Sequence, residues 1–397
     1  MVSVAEATSV IFSHLFRPGQ KRVALTAAVG QVLAEPVYAD RDFPPFDRVA
    51  MDGMAIHRDT WLDGQHAFLL EAVQAAGEPR KKLTQNQNAI EVMTGAMLPE
   101  GTDMVIRYED LTIANKVAAI AADTLKENGY IHRQGADCKK DALLLEPGLV
   151  LSPAEIALLA SVGKSSVNVF AFPRTAIVAS GDELVEVDAV PEPHQIRRSN
   201  TFAIQAAMQT LGWAGESHHV KDDKAGMTEA LTALAAANDV IILSGGVSKG
   251  KFDFVPDVLE AIGVKKLFHQ VSQRPGKPFW FGVSDKGLTV FALPGNPVST
   301  YMCFYRYIRP WVMQSLGVTE VPLMATLATD FSFAPPLTYF LQVTVKNENG
   351  TLMAYPDAGG GSGDFANLKK VTGFLELPLN QSAFKAGESF PYIPFRG

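Results

Sequence analysis

At 397 residues the chain is longer than one hydrophobic core sustains, so two to four domains are expected. With 47 % hydrophobic and 19 % charged residues it reads as an ordinary soluble protein, and a formal charge of −7 gives no electrostatic reason to expect nucleic acid as a partner. No apolar stretch approaches the ~20 residues needed to cross a bilayer, and Met1-Val2-Ser3-Val4-Ala5-Glu6 lacks a basic region followed by an apolar core, so no membrane partner and a cytoplasmic location are the default expectations.

Ser3-Val4-Ala5-Glu6 predicts a capping box opening a short amphipathic helix, with Ala7, Val10, Ile11 and Leu15 on one side, that ends before Pro18-Gly19. From about Asp42 to Lys140 the texture changes to short β-like runs (Met54 to His57, Ala89 to Met93, Met104 to Tyr108, Lys116 to Ala121) between Gly, Pro and Asn turns, which predicts an inserted β-rich domain. Ser152-Pro153-Ala154-Glu155 opens a second boxed helix that stops at Gly163. From Arg174 onward strand and helix signals alternate as in a doubly wound domain. Ser199-Asn200 is expected to cap a helix ending at Gly212, Asp222-Asp223 to open another through Ala237, Asp253 a third ending near Gly263, and a long apolar helix is expected from about Val298 to Leu316. After Gly317 strands and turns return, with alternation from Phe340 to Val345 and a loose Gly359-Gly360-Gly361-Ser362-Gly363 segment, which predicts a small carboxyl-terminal β-domain. Cys138 and Cys303 are too few and too far apart for a disulfide framework or a zinc site.

Within the α/β region three loops each follow a short β-branched run. They are Ser180-Gly181-Asp182-Glu183, Ser244-Gly245-Gly246-Val247-Ser248-Lys249-Gly250, and Pro294-Gly295-Asn296-Pro297. Uninterrupted runs of this kind suit strands buried on both faces of a parallel sheet, whose carboxyl edge is where helix amino termini receive phosphates and oxyanions. Acidic Glu183 and Asp253 beside bound phosphate make sense when a divalent cation lies between the like charges, so a nucleotide or phosphate ester with magnesium is the first expectation. The second loop is not a Walker loop, because its Gly-Lys-Ser/Thr ending is missing.

The remaining motifs are weaker singly. Pro44-Pro45-Phe46-Asp47-Arg48-Val49-Ala50-Met51-Asp52-Gly53-Met54-Ala55 reads equally as a structural turn, as do Thr94-Gly95-Ala96-Met97 and Gly135-Ala136-Asp137. Arg274-Pro275-Gly276-Lys277-Pro278 puts two cations across a turn, which suits charge stabilisation on an oxyanion but is as common on plain surfaces. His132, His194, His218, His219 and His269 share no metal-ligand spacing and read as surface or satisfied core residues.

Taken together and in this order, the segments Pro44 to Ala55, Met93 to Asp103, Gly135 to Asp137, Ser180 to Leu184, Ser244 to Asp253, Arg274 to Pro278, Leu293 to Ser299 and Gly361 to Asp364 resemble the molybdopterin molybdenumtransferase family, the MoeA-type molybdenum insertases that include the carboxyl-terminal domain of gephyrin. The resemblance runs nearly end to end. It implies a multidomain α/β plus β fold: a linker region of helix and strand (1–41 and 141–170), an inserted β-rich domain (42–140), a three-layer α/β molybdopterin-binding domain similar to molybdopterin adenylyltransferases (171–319), and a carboxyl-terminal β-barrel (320–397). It also implies a homodimer, with the active cleft between subunits, and a transferase that takes molybdopterin-AMP and molybdate, hydrolyses the adenylate with Mg2+ and leaves molybdenum on the dithiolene. Molybdopterin adenylyltransferase and molybdoenzyme apoproteins are the implied protein partners.

Carried over motif by motif, the resemblance implies catalytic roles for Asp52, Thr94, Asp137, Glu183, Asp222, Asp253, Arg274 and Lys277, with Glu183, Asp222 and Asp253 as metal residues. Ser180, Gly181, Asp182, Ser244, Gly245, Gly246, Val247, Ser248, Pro294, Gly295, Asn296, Pro297, Ser299 and Ser362 are implied to bind the pterin nucleotide. The chain departs from the family pattern in having Arg198 before Ser199-Asn200, Arg274 as the first cation of its motif, and Leu337-Thr338-Tyr339-Phe340-Leu341-Gln342 where arginines around an aromatic residue are usual. A binding scaffold that has lost turnover, or a pyrophosphatase-like hydrolase on the same α/β domain, are the competing readings.

Overall fold

The computed structural model describes residues 1–121, 129–247 and 254–396. The chain divides into two compact units: one takes in Met1–Glu35, Pro147–Pro153 and everything from Ser166 onward, the other Pro36–Glu146 and Ala154–Ser165.

The larger unit is organised by a six-stranded sheet in the order Glu216–Val220, Thr175–Ser180, Val240–Ser244, Thr289–Leu293, Trp280–Ser284, Val264–His269. Neighbours among the first four strands run parallel, and Trp280–Ser284 runs antiparallel to both of its neighbours. Every residue of Thr175–Ser180, Val240–Ser244 and Thr289–Leu293 is buried, as the β-branched runs require when helices cover both faces. One face packs Ile177, Ile242, Phe281 and Phe291 against the helices Asn200–Gln209 and Pro297–Cys303 and the amino-terminal helix Val4–Phe12. The other packs Val178, Ile241, Leu243 and Val290 against Lys224–Ala237 and Val255–Ala261. Burying a Val, Leu, Ile or Phe side chain contributes about 1.5–3 kcal/mol each, so this double-sided core fixes the strand ends firmly.

The carboxyl-terminal region closes a five-stranded barrel through Thr338–Glu348, Thr351–Pro356, Leu323–Leu327, Ser389–Pro394 and Gly373–Leu377, which pairs back to Thr338–Glu348. The two-residue strand Gln273–Arg274 pairs parallel to Thr338–Glu348, Arg274 lying opposite Tyr339, and so ties the cationic turn of the α/β region to the barrel. Gln20–Ala24 and Ser166–Phe170 form a separate antiparallel pair.

The smaller unit holds a second six-stranded sheet, ordered Met104–Arg107, Gly53–Ile56, Asn88–Val92, Ala67–Gln74, Val117–Ile120, Leu111–Ala114. Gly53 is required by close approach, since a Cβ there would lie 1.9 Å from the Ile106 carbonyl oxygen. The expected β-rich texture is therefore one main sheet with apolar clusters around Val49, Ile90 and Val105 and around Met54, Phe68 and Ile106, flanked by the short antiparallel pairs Arg48–Val49 with Ile131–His132 and Val37–Tyr38 with Leu143–Leu145.

Local expectations meet the structure unevenly. Ser3 makes the capping box with Glu6, and Asp223 accepts from the Gly226 N–H at the head of Lys224–Ala237. Ser199, by contrast, makes no side-chain cap; its backbone is already helical, with φ −109° and ψ −30°. The expected long helix is Pro297–Cys303, a π-helical turn Phe304–Ile308 and Arg309–Ser315. Pro310 lacks an N–H and its ring crowds the carbonyl one turn back, and the widened turn absorbs that clash. Phe340 to Val343 are buried without alternation, because Phe340 joins the sheet-facing core while Leu341 faces the barrel interior. Asp253 and the Ser248-Lys249-Gly250 end of the second loop lie outside the described residues.

Candidate active site

The strand order of the α/β sheet reverses at Thr175–Ser180: the next strand in sequence, Glu216–Val220, lies on one side of it and Val240–Ser244 on the other. Beyond such a reversal the loops diverge and leave a crevice at the strand carboxyl ends. A pocket of about 430 Å³ opens there, lined by Ser180, Gly181, Glu183, Asp222, Ser244, Gly245, Gly246, Val247, Pro294, Gly295, Asn296 and Pro297. All three loops singled out from the sequence thus meet in one place.

Their shape follows from side-chain clamps. Ser180 Oγ donates to Asp222 Oδ1 at 2.5 Å, and the Asp222 N–H donates to Asp182 Oδ1 at 3.2 Å, so Asp182 braces the first loop while Asp222 turns into the pocket. Asp223 takes the helix cap, which leaves Asp222 free for this contact. Gly245 has φ +105°, and a Cβ on it would sit 2.4 Å from the Ser180 carbonyl oxygen, so only glycine lets the first two loops touch. His219 Nε2 donates to the Gly181 carbonyl and His269 Nε2 to the Val247 carbonyl, each at 3.0 Å. Those two histidines read from sequence as surface or satisfied core residues, and here they hold the glycine loops.

Asn200 was missed as a site residue. Its Nδ2 donates to Ser244 Oγ at 2.8 Å and to the Gly295 carbonyl at 2.7 Å, pinning the second loop to the third. Thr300 adds to the same knot through the Asn296 and Pro294 carbonyls. The Ser-Asn pair at a helix start imitates an N-cap in sequence, and only the failure of Ser199 to cap reveals the other use. The Glu183 carboxylate is exposed, lines the pocket and has no hydrogen-bond partner among the described residues. No group of three or more His, Cys, Asp or Glu among the described residues is arranged to hold a metal ion.

A second pocket of about 250 Å³ shares Pro278, Pro294 and Asn296 with the first and is lined also by Arg274, Lys277, Ser299, Gly361 and Ser362. Asn296 Nδ2 donates to Ser362 Oγ at 2.8 Å, which brings the loose glycine segment to the third loop. Lys277 is exposed and has no ion-pair partner among the described residues, whereas the Arg274 guanidinium lies 5.9 Å over the Phe333 ring. Leu337 and Gln342 line this pocket too, and Gln342 is buried, its amide engaged with Ala358 and Asn367.

In the smaller unit, Asp52 accepts from both the N–H and the hydroxyl of Thr94, at 2.6 and 2.8 Å, and the Thr94 hydrogen bonds hold its carboxyl below the usual carboxylate range. Asp137 accepts from His132 Nε2 at 2.8 Å. The three motifs of this unit are laced by backbone: the Gly95 N–H donates to Val49, the Gly135 N–H to Pro44, and the Asp137 N–H to Phe43.

Comparison with known proteins agrees with this architecture. Residues 2–163 match the MoeA N-terminal region (domain I and II), 176–314 a probable molybdopterin binding domain, and 324–395 the MoeA C-terminal region (domain IV). A multidomain enzyme built around a molybdopterin-binding α/β domain is the class these matches define. The chain is 39 % identical over 396 residues to the molybdopterin molybdenumtransferase of Synechocystis sp., covering 99 % of both chains, and 31 % identical over 400 residues to that of Staphylococcus aureus, covering 99 % of this chain and 95 % of the other. The crystal structure of the molybdopterin biosynthesis moea protein from Pyrococcus horikosii superposes with a TM-score of 0.85 at 29 % identity, covering 100 % of both chains. The chain belongs to the molybdopterin molybdenumtransferase family, enzymes of molybdenum cofactor biosynthesis.

Proposed function

We propose that the protein transfers molybdenum from molybdate to molybdopterin, taking the pterin as molybdopterin-AMP, hydrolysing the adenylate and releasing AMP with Mg2+ assisting. The observation that carries this reading is the pair of pockets sharing one wall. The larger gathers Ser180, Gly181, Ser244, Gly245, Gly246, Val247, Pro294, Gly295, Asn296 and Pro297, suited to a nucleotide. The smaller gathers Arg274, Lys277, Ser299 and Ser362, suited to an oxyanion. Glycine-loop N–H groups and the helix amino termini receive phosphate oxygens, and Lys277, exposed and without a carboxylate partner among the described residues, holds anionic charge.

The donor set also suits Mg2+. Glu183 and Asp222 offer hard carboxylate oxygens and Ser180 a hydroxyl, and Mg2+ commonly takes one or two carboxylates and completes its octahedron with water and phosphate oxygens. When bound, it supplies neutralisation of phosphate charge. Asp253, the third metal residue of this reading, lies outside the described residues. Asp52 and Asp137 serve as further carboxylates of the reaction, with Thr94 orienting Asp52. The reading includes a homodimer, a molybdopterin adenylyltransferase as supplier and molybdoenzyme apoproteins as recipients. No helix among the described residues is long and apolar enough to cross a membrane.

Purified full-length protein given molybdopterin-AMP, molybdate and Mg2+ should release AMP and activate a molybdoenzyme apoprotein; release of neither overturns the reading. Glu183→Ala and Asp52→Ala should each abolish both signals while leaving the melting temperature within a few degrees, since both side chains are exposed on loops. Parental activity in either variant removes that residue from the site.

A second reading is favoured by one observation: Leu337 and the structurally engaged Gln342 leave the oxyanion pocket with Arg274 and Lys277 as its lining cations. A molybdopterin- or nucleotide-binding scaffold with weakened turnover would bind AMP tightly yet show no molybdate-dependent AMP release.

A further inference from the structure

The smaller unit contains a polar relay that ends on Asp137 and whose other members have no role above. Arg48–Val49 and Ile131–His132 form a short antiparallel pair in which His132 lies directly opposite Arg48. Arg48 Nη2 is 3.0 Å from His132 Nδ1, and His132 Nε2 is 2.8 Å from Asp137 Oδ1. A guanidinium has donors only, so Nδ1 accepts and the ring proton sits on Nε2, where it is given to Asp137. The opposite tautomer would set a proton against Arg48 and leave Asp137 facing a lone pair.

The rest of the unit fixes where this contact occurs. Asp47 accepts from Arg133 Nη1 at 2.7 Å and from the Gln134 N–H at 2.8 Å, anchoring the segment between His132 and Asp137. The Asp137 and Cys138 N–H groups both donate to the Phe43 carbonyl. Backbone contacts thus set the position of residue 137, but they do not choose its rotamer. The carboxylate is 57 % exposed, its Oδ2 has no partner among the described residues, and His132 is the side chain that holds Oδ1.

We propose that His132, held by Arg48 in the tautomer with its proton on Nε2, is the positioning residue that fixes the Asp137 carboxylate for the transferase reaction. This rests on the reading of Asp137 as a catalytic carboxylate. A ring that donates from Nε2 while accepting at Nδ1 is uncharged, so it orients Asp137 without cancelling its negative charge, and Oδ2 keeps full strength toward a proton or cation. An arginine or lysine in the same place would orient the carboxylate but neutralise it.

The test compares Asp137→Ala, His132→Ala, His132→Gln and Arg48→Ala in the full-length protein, by AMP release from molybdopterin-AMP. Asp137→Ala should lose activity. His132→Ala should lower kcat about 10- to 100-fold with KM little changed, the cost expected of a misplaced group. His132→Gln should recover most of it, because one carboxamide can accept from Arg48 and donate to Asp137 at once. In protein labelled with 15N-histidine, His132 should show protonated Nε2 and bare Nδ1, and Arg48→Ala should lose that preference. Full kcat in His132→Ala together with inactive Asp137→Ala overturns the positioning role and leaves the function intact. A His132→Gln variant no better than His132→Ala, or a ring protonated on Nδ1, overturns it as well. A fully active Asp137→Ala overturns the catalytic reading of Asp137 itself.

Discussion

The α/β pocket and the acidic loops of the smaller unit solve the same problem, the placing of polar groups, by opposite means. In the pocket, strands buried along their whole length end in glycine loops, and each loop is held by a side chain from another strand or helix of the same domain: Asn200, Thr300, His219 and His269. In the smaller unit Asp52 and Asp137 are exposed on loops, and each is oriented by one neighbour, Thr94 or His132. The first arrangement couples site geometry to fold stability. The second leaves them nearly independent, so its residues can change without unfolding anything.

That contrast can be broken at its strongest point by Gly245→Val. A side chain at φ +105°, driven against the Ser180 carbonyl, strains the backbone by about 1–3 kcal/mol and pushes the first two loops apart. Adenylate-dependent activity should fall by about 100-fold or more and the melting temperature should drop with it. Loss of activity at unchanged stability would show that the pocket is not coupled to the core. Lys277→Ala should have an intermediate effect: the KM for molybdate should rise about 10-fold, equivalent to ~1.4 kcal/mol, at constant melting temperature. An unchanged KM would take Lys277 out of the oxyanion pocket.

The smallest effect sharpens the other side of the comparison. Because Thr94 holds the Asp52 carboxyl below its ordinary range, any stability this pair contributes is present above the unfolded-state pKa and is lost as pH falls through the lower folded value. Thr94→Val removes the hydroxyl but keeps the N–H, so the Asp52 titration, followed by carboxyl 13C NMR, should move partway up toward 3.8. Because the carboxylate is fully exposed, thermal stability near neutral pH should hardly respond. An Asp52 titration that stays in place would mean that the Thr94 hydroxyl does not orient it.

How far the sequence foretold these features depends on whether local chemistry agreed with tertiary context. Val240–Ser244 and Thr289–Leu293 were legible because β-branched runs have no alternative when both faces are covered. Ala67–Gln74 went unread: Leu, Glu and Ala dominate it, and pairing with Asn88–Val92 and Val117–Ile120 overrides that weak strand propensity. The site loops announced themselves by glycine and proline, but the side chains that hold them did not. Asn200 looked like part of a cap, and His219 and His269 carried no spacing signal, since the carbonyls they hold are 38 and 22 residues away; His132 is only 5 residues from Asp137, but its other partner, Arg48, is 84 residues back.

The wall common to the two pockets has an energetic corollary. Pro278, Pro294 and Asn296 touch whatever fills either chamber, and Asn296 is itself tethered to Ser362 on the far side of the smaller one. On the proposed reading, with a nucleotide in one chamber and an oxyanion in the other, the shared wall predicts thermodynamic linkage: whatever factor the nucleotide imposes on oxyanion affinity, the oxyanion returns to the nucleotide.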